Sequence, residues 1–192
     1  MILARVSRPG WLLLMLVVGL GGSTGLHADA RVIDVHAEVR EESVFLDANL
    51  ELSLSREVIE ALRNSIAVNL IVEAEIAEPR EWLWDRRLLT DRRRLRLEYH
   101  ALSRTWVVTD FHARETHTFS ELSGAVESLS RVRAWRLGPW APLADRPRLL
   151  GKLRVTLDVN KLPLPLRVPA LFEDAWDLDS DWFLWGLSEV RR

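Results

Sequence analysis

The largest group of side chains that could do chemistry is a run of arginines in the middle of the chain. Its members are Arg80, Arg86, Arg87, Arg92, Arg93, Arg94 and Arg96. Guanidinium groups hold phosphates and carboxylates through paired hydrogen bonds, so this run could bind an anionic lipid head group or an acidic protein surface. The alternative, which we favour, is an edge strand whose charges face the solvent and block pairing with other chains. The candidate interaction residues of this run are Arg86, Arg87, Arg92, Arg93 and Arg94.

A proline-rich segment near the C-terminus is the second candidate. Residues 162–172 read Leu-Pro-Leu-Pro-Leu-Arg-Val-Pro-Ala-Leu-Phe. Proline cannot donate to a strand ladder, so we predict that this segment is extended. If exposed, it would be a preformed ligand for a partner's groove. If packed, it would be a strap over the sheet, and its many leucines favour the strap because a large bare apolar surface is unusual for a monomer. The candidate interaction residues here are Pro163, Pro165, Arg167 and Trp182, and the tryptophans that would complete the core under the strap are Trp176, Trp182 and Trp185.

Other chemistry is weakly supported. Asp110 and His112 could serve proton transfer, but no obvious nucleophile accompanies them, so we predict the polar end of a core strand. No two histidines have the spacing of a metal-binding motif. Asp177, Asp179 and Asp181 imitate the start of a calcium loop, but a tryptophan and a serine occupy the positions that require Gly and Glu. We therefore predict that the protein is not an enzyme and has no cofactor and no metal.

The N-terminus has the three parts of a secretory signal peptide. Arg5 and Arg8 supply the positive start, and residues 11–20 form an apolar run. Residues 28–30 read Ala-Asp-Ala, which fits the A-x-A pattern of a cleavage site, with cleavage after Ala28 as the other choice. We predict that residues 1–28 are a signal peptide and that the rest of the chain works in the periplasm, with an uncleaved inner-membrane anchor as the alternative. A G-x-S-x-G pattern, which is typical of hydrolases, lies inside the discarded segment and is therefore discounted.

Composition narrows the classes of protein further. The chain contains no cysteine, which excludes disulfides, thiolate catalysis, zinc–cysteine sites and a lipid anchor on cysteine. The net charge is −2, and loss of Arg5 and Arg8 with the signal peptide would make it more negative by two. This weak acidity selects no partner, and the predicted export argues against nucleic acid despite the arginines. We expect one globular domain over residues 31–190, because no long polar linker interrupts it.

Alternation of apolar and polar residues, the pattern of half-buried strands, recurs along the chain. It predicts strands at residues 32–40, 44–54, 66–76, 95–100, 106–113, 116–119 and 152–159. In the first of these, Ile33 is expected on the same face as Val35. If the turn at Ser103 has two residues, Trp106 faces Ala101 across the hairpin.

Two helices and several breaks complete the expected order of elements. Ser55 and Ser120 are the predicted N-caps of two short amphipathic helices. Residues 80–94 are interpreted as a connection, and Gly138 and Pro139 as a break. Short turns between successive strands imply antiparallel pairing. We therefore predict an α+β fold, mainly an antiparallel sheet or sandwich with two short amphipathic helices.

Several motifs together resemble one protein family. They are Leu157-Asp158, Leu162-Pro-Leu-Pro-Leu-Arg167, Trp176-x-Leu-x-Ser180-x-Trp182, Trp82-x-x-Asp85 and the helix at residues 55–64. In these the chain is similar to a proteobacterial family of exported proteins known as the domain of unknown function DUF4390. The resemblance covers essentially the whole chain after the signal peptide and implies neither an established activity nor catalytic residues. Such proteins are often encoded near a membrane sensor kinase of the nitrogen-regulation type, which implies a link to envelope signalling.

Two functions stay open at this point. The first is a non-enzymatic interaction module that binds an envelope or inner-membrane protein, such as the external domain of a sensor, through the arginine run or the proline-rich segment. The second is a periplasmic carrier of a small apolar ligand. Peripheral contact with the membrane is compatible with both. A closed apolar pocket would favour the carrier, and a filled core with an exposed groove or patch would favour the interaction module.

Overall fold

The computed structural model describes residues 27–80, 85–146 and 148–187. Residues 1–26 of the predicted signal peptide lie outside the described residues, as do Trp82 and Trp84. Within the described ranges the elements are β1 Asp29–Arg40, β2 Ser43–Ser53, α1 Arg56–Arg63, β3 Val68–Glu78, β4 Arg86–His100, β5 Thr105–Asp110, β6 Glu115–Phe119, α2 Leu122–Leu129, β7 Arg131–Pro139, β8 Leu150–Leu157, α3 Leu164–Arg167, α4 Pro169–Phe172 and β9 Phe183–Gly186.

The strands form two antiparallel sheets that share one hydrophobic core. The smaller sheet has the order β1-β2-β7 and the larger has the order β6-β5-β4-β3-β8-β9. Alternate residues of the central strands are buried, such as Leu46 in β2 and Leu70 in β3, and the fully buried Trp135 of β7 belongs to the same cluster. The predicted α+β fold with a mainly antiparallel sheet is confirmed. None of the helices in the described ranges has the length and apolar composition needed to cross a bilayer.

Helix α1 begins at the predicted cap. The hydroxyl oxygen of Ser55 accepts a hydrogen bond from the backbone N–H of Val58 at 3.1 Å, which satisfies one of the free donors of the first turn. The same hydroxyl donates to the carbonyl oxygen of Ala175 at 2.6 Å and so ties the helix to the C-terminal segment. The cap predicted for α2 is wrong: Glu121, not Ser120, is the N-cap, and its side chain makes no capping hydrogen bond.

Strand β4 corrects the interpretation of residues 80–94 as a connection. It begins at Arg86 and pairs with β3 as far as Leu97, and its last six residues pair with β5. The favoured prediction of an edge strand with solvent-facing charges is therefore also wrong, because β4 lies between β3 and β5 in the sheet and Arg93 is buried. Three arginines of β4, Arg87, Arg92 and Arg93, are accommodated in the strand because acidic residues neutralise them. Glu73 lies directly opposite Arg92 in the register of β3 and β4, and Asp110 of β5 pairs with Arg93 on the core side. The sequence pattern does not reveal these partners, which come from other strands.

Two local irregularities shift residues from their expected positions. A β-bulge between Val32 and Asp34 turns Ile33 outward, so that its side chain is exposed. The turn after β4 has four residues rather than two, and Tyr99 therefore lies opposite Trp106 with ring centroids 4.7 Å apart.

The sequence predicts an extended proline-rich segment, and this prediction is wrong. The segment forms two single-turn helices, α3 and α4. Pro165 and Pro169 lie in the first turns of these helices, where an N–H would have no intrahelical acceptor, so proline costs nothing there. The break expected at Gly138 and Pro139 is also wrong, because β7 continues through both residues. Its pairing with β2 contains two register shifts, one of which lies next to Gly138.

Candidate binding surface

The face of the six-stranded sheet that points away from the core, here called the outer face, carries a buried carboxylate between two arginines. Arg92 donates to Oε1 of Glu73 from Nε at 3.0 Å and from Nη2 at 2.8 Å. Arg154 donates to Oε2 from Nε at 3.1 Å and from Nη2 at 2.8 Å, and its guanidinium carbon lies 4.3 Å from the centre of the Trp182 ring. Burial raises the pKa of Glu73, but hydrogen bonds and charge attraction from Arg154 and Arg92 outweigh it and hold the pKa below the ordinary value of 4.5.

Two of the other four candidate arginines, Arg87 and Arg93, are also paired with acidic residues of the protein. Arg87 forms an ion pair with Glu75, with Nε 3.4 Å from Oε1. Arg93 is buried and donates from Nε to Asp110 at 2.7 Å and from Nη1 to the carbonyl oxygen of Arg133 at 2.8 Å. Arg86 is exposed at the start of β4. Within the described residues, the arginine run is therefore not a continuous patch of unpaired cations. Among these residues, Arg86 at the start of β4 and Arg94 in its second half are the candidate arginines that stay free to bind an anion.

Arg94 lines a surface cavity of about 410 Å³, here called the cationic cavity. Its lining residues are Ser65, Ile66, Ala67, Asn69, Leu70, Ile71, Arg94, Arg96, Phe111, Asp158, Lys161 and Pro163. Arg94 and Arg96 are two residues apart on β4, so both side chains lie on the outer face. Ile71 and Asn69 of β3 lie directly opposite them in the register. The cavity therefore places cations beside both an apolar and a polar side chain of β3.

The cations of this cavity have little internal compensation. Neither Arg94 nor Lys161 forms an ion pair with any residue that the structure describes. Arg96 contacts Glu98 through Nη2 at 2.8 Å, but its Nε is buried and has no hydrogen-bond acceptor in the described part of the chain. Phe111, which is half exposed, donates its backbone N–H to the carbonyl oxygen of Arg94 at 3.0 Å and is thereby held beside the cavity.

Helices α3 and α4 display apolar side chains to solvent. The residues Leu164, Val168, Leu171 and Phe172 are 73%, 64%, 62% and 82% exposed, and we call them the apolar protrusion. On the opposite side of the segment, Leu162 is buried, and Leu166 and Ala170 pack against the core.

Arg167 locks this segment in place. Its Nε donates to the carbonyl oxygen of Leu162 at 2.9 Å and its Nη2 donates to that of Asn160 at 2.8 Å. The protrusion therefore has a conformation that these hydrogen bonds fix. The two alternatives from the sequence both apply in part, because one side of the segment covers the core and the other side is bare.

The structure brings together only some of the candidates taken from the sequence. Arg94 and Pro163 line the same cavity, which joins the arginine run to the proline-rich segment. Pro165 is exposed on α3, whereas Arg167 is used within the segment and Trp182 packs on Arg154. Trp176 is buried and Trp185 is half-buried against the core, as predicted. The same prediction is wrong for Trp182, which packs on Arg154 and lies outside the core cluster.

Most residues of the cationic cavity were not among the candidate interaction residues. The three that matter most for its charge and shape are Arg96, which belongs to the arginine run, Phe111 and Lys161. The alternation of Arg92, Arg94 and Arg96 along one strand could have placed Arg96 on the same face. The positions of Phe111 and Lys161 depend on how distant elements pack, and no pattern in the sequence carries that information.

Asp110 and His112 do not form an acid–base pair in this structure. Oδ1 of Asp110 accepts hydrogen bonds from the backbone N–H groups of His112 at 2.9 Å and Ala113 at 3.1 Å, and Oδ2 accepts from Arg93. The His112 ring instead approaches Asp91, with Nδ1 3.8 Å from Oδ2. The carboxylate of Asp110 holds the turn after β5 and neutralises a buried arginine.

The acidic tail also has a structural use. Oδ1 of Asp179 accepts a hydrogen bond from the backbone N–H of Leu157 at 2.6 Å, which closes the end of β8. Among the described residues, no three His, Cys, Asp or Glu side chains are grouped so that they could hold a metal ion.

The comparison with known families identifies the chain. Residues 27–186 match the model of the domain of unknown function DUF4390, and the protein therefore belongs to that family. Neither a curated protein nor a solved structure matches the chain.

Proposed function

We propose that this protein is an exported, non-enzymatic interaction domain that binds an envelope or inner-membrane protein through its apolar protrusion. The observation that carries the proposal is the exposure of four large apolar side chains between Leu164 and Phe172. Exposed clusters of this kind are uncommon on monomers and mark surfaces that another molecule covers.

The protrusion supports this function better than the arginine run does. Arg87, Arg92 and Arg93 are engaged with acidic residues of the protein itself, so binding a partner through them would first require breaking those pairs. The apolar side chains of the protrusion have no such competitor among the described residues. Their burial against a partner gains about 25 cal/mol for each Å² of apolar surface removed from water.

The form of the protrusion indicates the partner's surface. Short helical turns that present side chains on one side fit an apolar groove. Because Arg167 and the buried Leu162 hold the segment in place, little ordering is required on binding. The external domain of a membrane sensor kinase, which the family resemblance suggests, is one partner of this class.

A carrier of a purely apolar ligand is the weaker alternative. The cationic cavity has the size of a ligand site, but Arg94, Arg96 and Lys161 line it, and burying these charges against a neutral apolar molecule would be unfavourable. This cavity is better suited to a ligand that carries negative charge.

Removal of the exposed apolar groups tests the proposal. The triple variant Leu164→Ser, Leu171→Ser and Phe172→Ser changes only exposed side chains, so its melting temperature is expected to stay near that of the wild type. In gently solubilised envelopes, the tagged wild-type protein is expected to migrate as a complex larger than the free chain, and the triple variant as the free chain.

The matched control is Leu102→Ser. This side chain is fully exposed, but it belongs to the turn between β4 and β5 and not to the protrusion. This variant is expected to keep the complex. A triple variant that still migrates with the complex, or a wild-type protein that migrates as the free chain, would refute the proposal.

A further inference from the structure

We propose that the cationic cavity is a binding site for a phosphate group attached to an apolar body. This inference uses residues other than the apolar protrusion and does not depend on the proposed protein contact. The cavity is formed by β3, β4, the turn after β5 and the segment after β8, so four separate parts of the chain converge on it.

The charge of the cavity suits a phosphate better than a single carboxylate. Arg94, Arg96 and Lys161 contribute three positive charges. Asp158, the one acidic residue among the described lining residues, and Glu98, the ion-pair partner of Arg96, offset part of this charge and leave a net positive site. A phosphate monoester carries a charge between about −1.5 and −2 and has three acceptor oxygens. It can therefore neutralise the excess positive charge and receive hydrogen bonds from several donors at once.

A comparison along β4 shows that this excess charge is specific to the cavity. Arg92 and Arg94 lie on the same face of the same strand, two residues apart. Arg92 is opposite Glu73 and is neutralised by it, whereas Arg94 is opposite Ile71 and has no acidic partner among the described residues. Glu73 thus compensates the charge of Arg92, whereas Ile71 leaves the charge of Arg94 available to a ligand.

The orphaned donor of Arg96 is a second and independent indication. Nε of Arg96 is buried, and the described residues offer it no acceptor. Buried polar groups without a partner are rare in folded proteins and cost free energy. Because Nε has almost no accessible surface, an oxygen of a bound anion would satisfy this donor once the Arg96 guanidinium turns towards the ligand. The Ser65 hydroxyl and the Asn69 side-chain amide line the same cavity and add donors of the same kind.

The remaining lining explains why the ligand should have an apolar part. Ile66, Ile71 and the half-exposed Phe111 border the cavity. A volume of about 410 Å³ lies within the range of small-molecule sites and exceeds what a phosphate ion alone would fill. The carbon body of the ligand would pack against these side chains while the cations hold its phosphate.

Octyl phosphate is a direct probe, with inorganic phosphate and octyl glucoside as partial mimics. Isothermal titration of the purified chain at low salt is expected to show binding of octyl phosphate, with affinity at least tenfold higher than that for either mimic. Rising ionic strength is expected to weaken binding, since the charges are solvent-accessible. No measurable binding of octyl phosphate at millimolar concentration, or equal affinity for octyl glucoside, would overturn the proposal.

Matched variants assign the binding to this cavity. Arg94→Gln and Lys161→Gln are each expected to weaken octyl phosphate binding at least tenfold. Arg104→Gln, which removes an exposed arginine in the turn after β4, is expected to leave it unchanged. Unfolding midpoints of all three variants near that of the wild type would show that the fold is intact. Equal loss in Arg104→Gln, or no loss in the cavity variants, would contradict the assignment.

Vesicles distinguish the two sources of such a ligand. Co-sedimentation with phosphatidic acid vesicles but not with phosphatidylcholine vesicles, abolished by Arg94→Gln, would identify a lipid head group. Binding of octyl phosphate without co-sedimentation would identify a soluble phosphate ester. Both results support the site, whereas vesicle binding that is insensitive to Arg94→Gln, together with no binding of octyl phosphate, would count against it.

Discussion

Arg154 donates two hydrogen bonds to one oxygen of Glu73, and this contact ties β8 to β3 across the outer face of the sheet. Arg92 binds the other oxygen of the same carboxylate from β4. One buried side chain therefore connects three neighbouring strands. In the sequence, Glu73 interrupts the apolar pattern of its strand. In the structure, its charge allows Arg92 and Arg154 to lie on either side of it.

Replacement of Glu73 by Gln is expected to lower the free energy of unfolding by about 2 kcal/mol, because hydrogen bonds to charged groups are lost while two arginines stay close together. Chemical denaturation at neutral pH measures this loss. The control is Glu51→Gln, an exposed residue of β2, which is expected to change stability by less than about 0.5 kcal/mol. A Glu73→Gln variant as stable as the control would contradict the structural role of the carboxylate.

The stability difference between wild type and Glu73→Gln should depend on pH. Burial raises the pKa of Glu73, but Arg154 and Arg92 lower it more, so the folded-state pKa lies below the ordinary value of 4.5. Its contribution to stability is therefore fully present above about pH 4.5 and is lost as the pH falls through the folded-state pKa. Denaturation curves of both proteins between neutral and acidic pH should converge at the acidic end. A constant difference would contradict this assignment.

Asp110→Asn is expected to destabilise the fold by about 3–5 kcal/mol, since it leaves the charge of Arg93 buried without a counter-charge. Asparagine can still accept the backbone hydrogen bonds that Asp110 receives in the turn, so the loss reports on the ion pair. The double variant Arg93→Met and Asp110→Asn should be more stable than Asp110→Asn alone, because the buried charge is gone. If the double variant were the less stable of the two, the pair would not be the cause.

Gly151→Ala is expected to destabilise the fold by about 1–3 kcal/mol, the usual cost of overpacking. A Cβ at position 151 would overlap the indole of Trp185, which lies opposite it where β8 pairs with β9. Thermal or chemical denaturation measures the cost. In a Trp185→Ala background the same substitution should cost almost nothing, and an equal cost in both backgrounds would exclude the overlap as the reason.

If the chain is exported and processed, its mature N-terminus is expected to be Asp29. Strand β1 begins at Asp29, which pairs with Ser53, and Ala30 pairs with Leu52. Cleavage after Ala28 leaves this pairing intact, whereas cleavage after Ala30 would remove its first two residues. Mass spectrometry of the protein recovered from the periplasm checks this, and a chain beginning at Arg31 or at Met1 would contradict the expectation.

The strand pattern of this protein was readable because side chains alternate along half-buried strands. This held for β2, where Leu46 and Leu50 face the core, and for the cap of α1 at Ser55. It failed for β4, where the core-facing position held by Arg93 is charged. The residue that makes this position tolerable, Asp110, is far along the chain and belongs to another strand.

The candidate surfaces were predicted only in part for the same reason. Composition identified the arginine run and the proline-rich segment, but it could not show which arginines are neutralised from neighbouring strands. Nor could it show that Pro165 and Pro169 begin helical turns, since proline is compatible with both extended chain and a helix start. The side of the segment that faces solvent is decided by how Leu162 and Leu166 pack on the core.

Site-specific photo-cross-linking in intact cells is the most direct measurement of the central claim that the apolar protrusion contacts a protein partner. Benzoylphenylalanine in place of Phe172 keeps an aromatic side chain at the most exposed position of the protrusion, and the same group at Leu102 is the control. We expect a discrete protein adduct from position 172 and none from position 102. No adduct at position 172, an adduct to lipid alone, or the same adducts at both positions would contradict it.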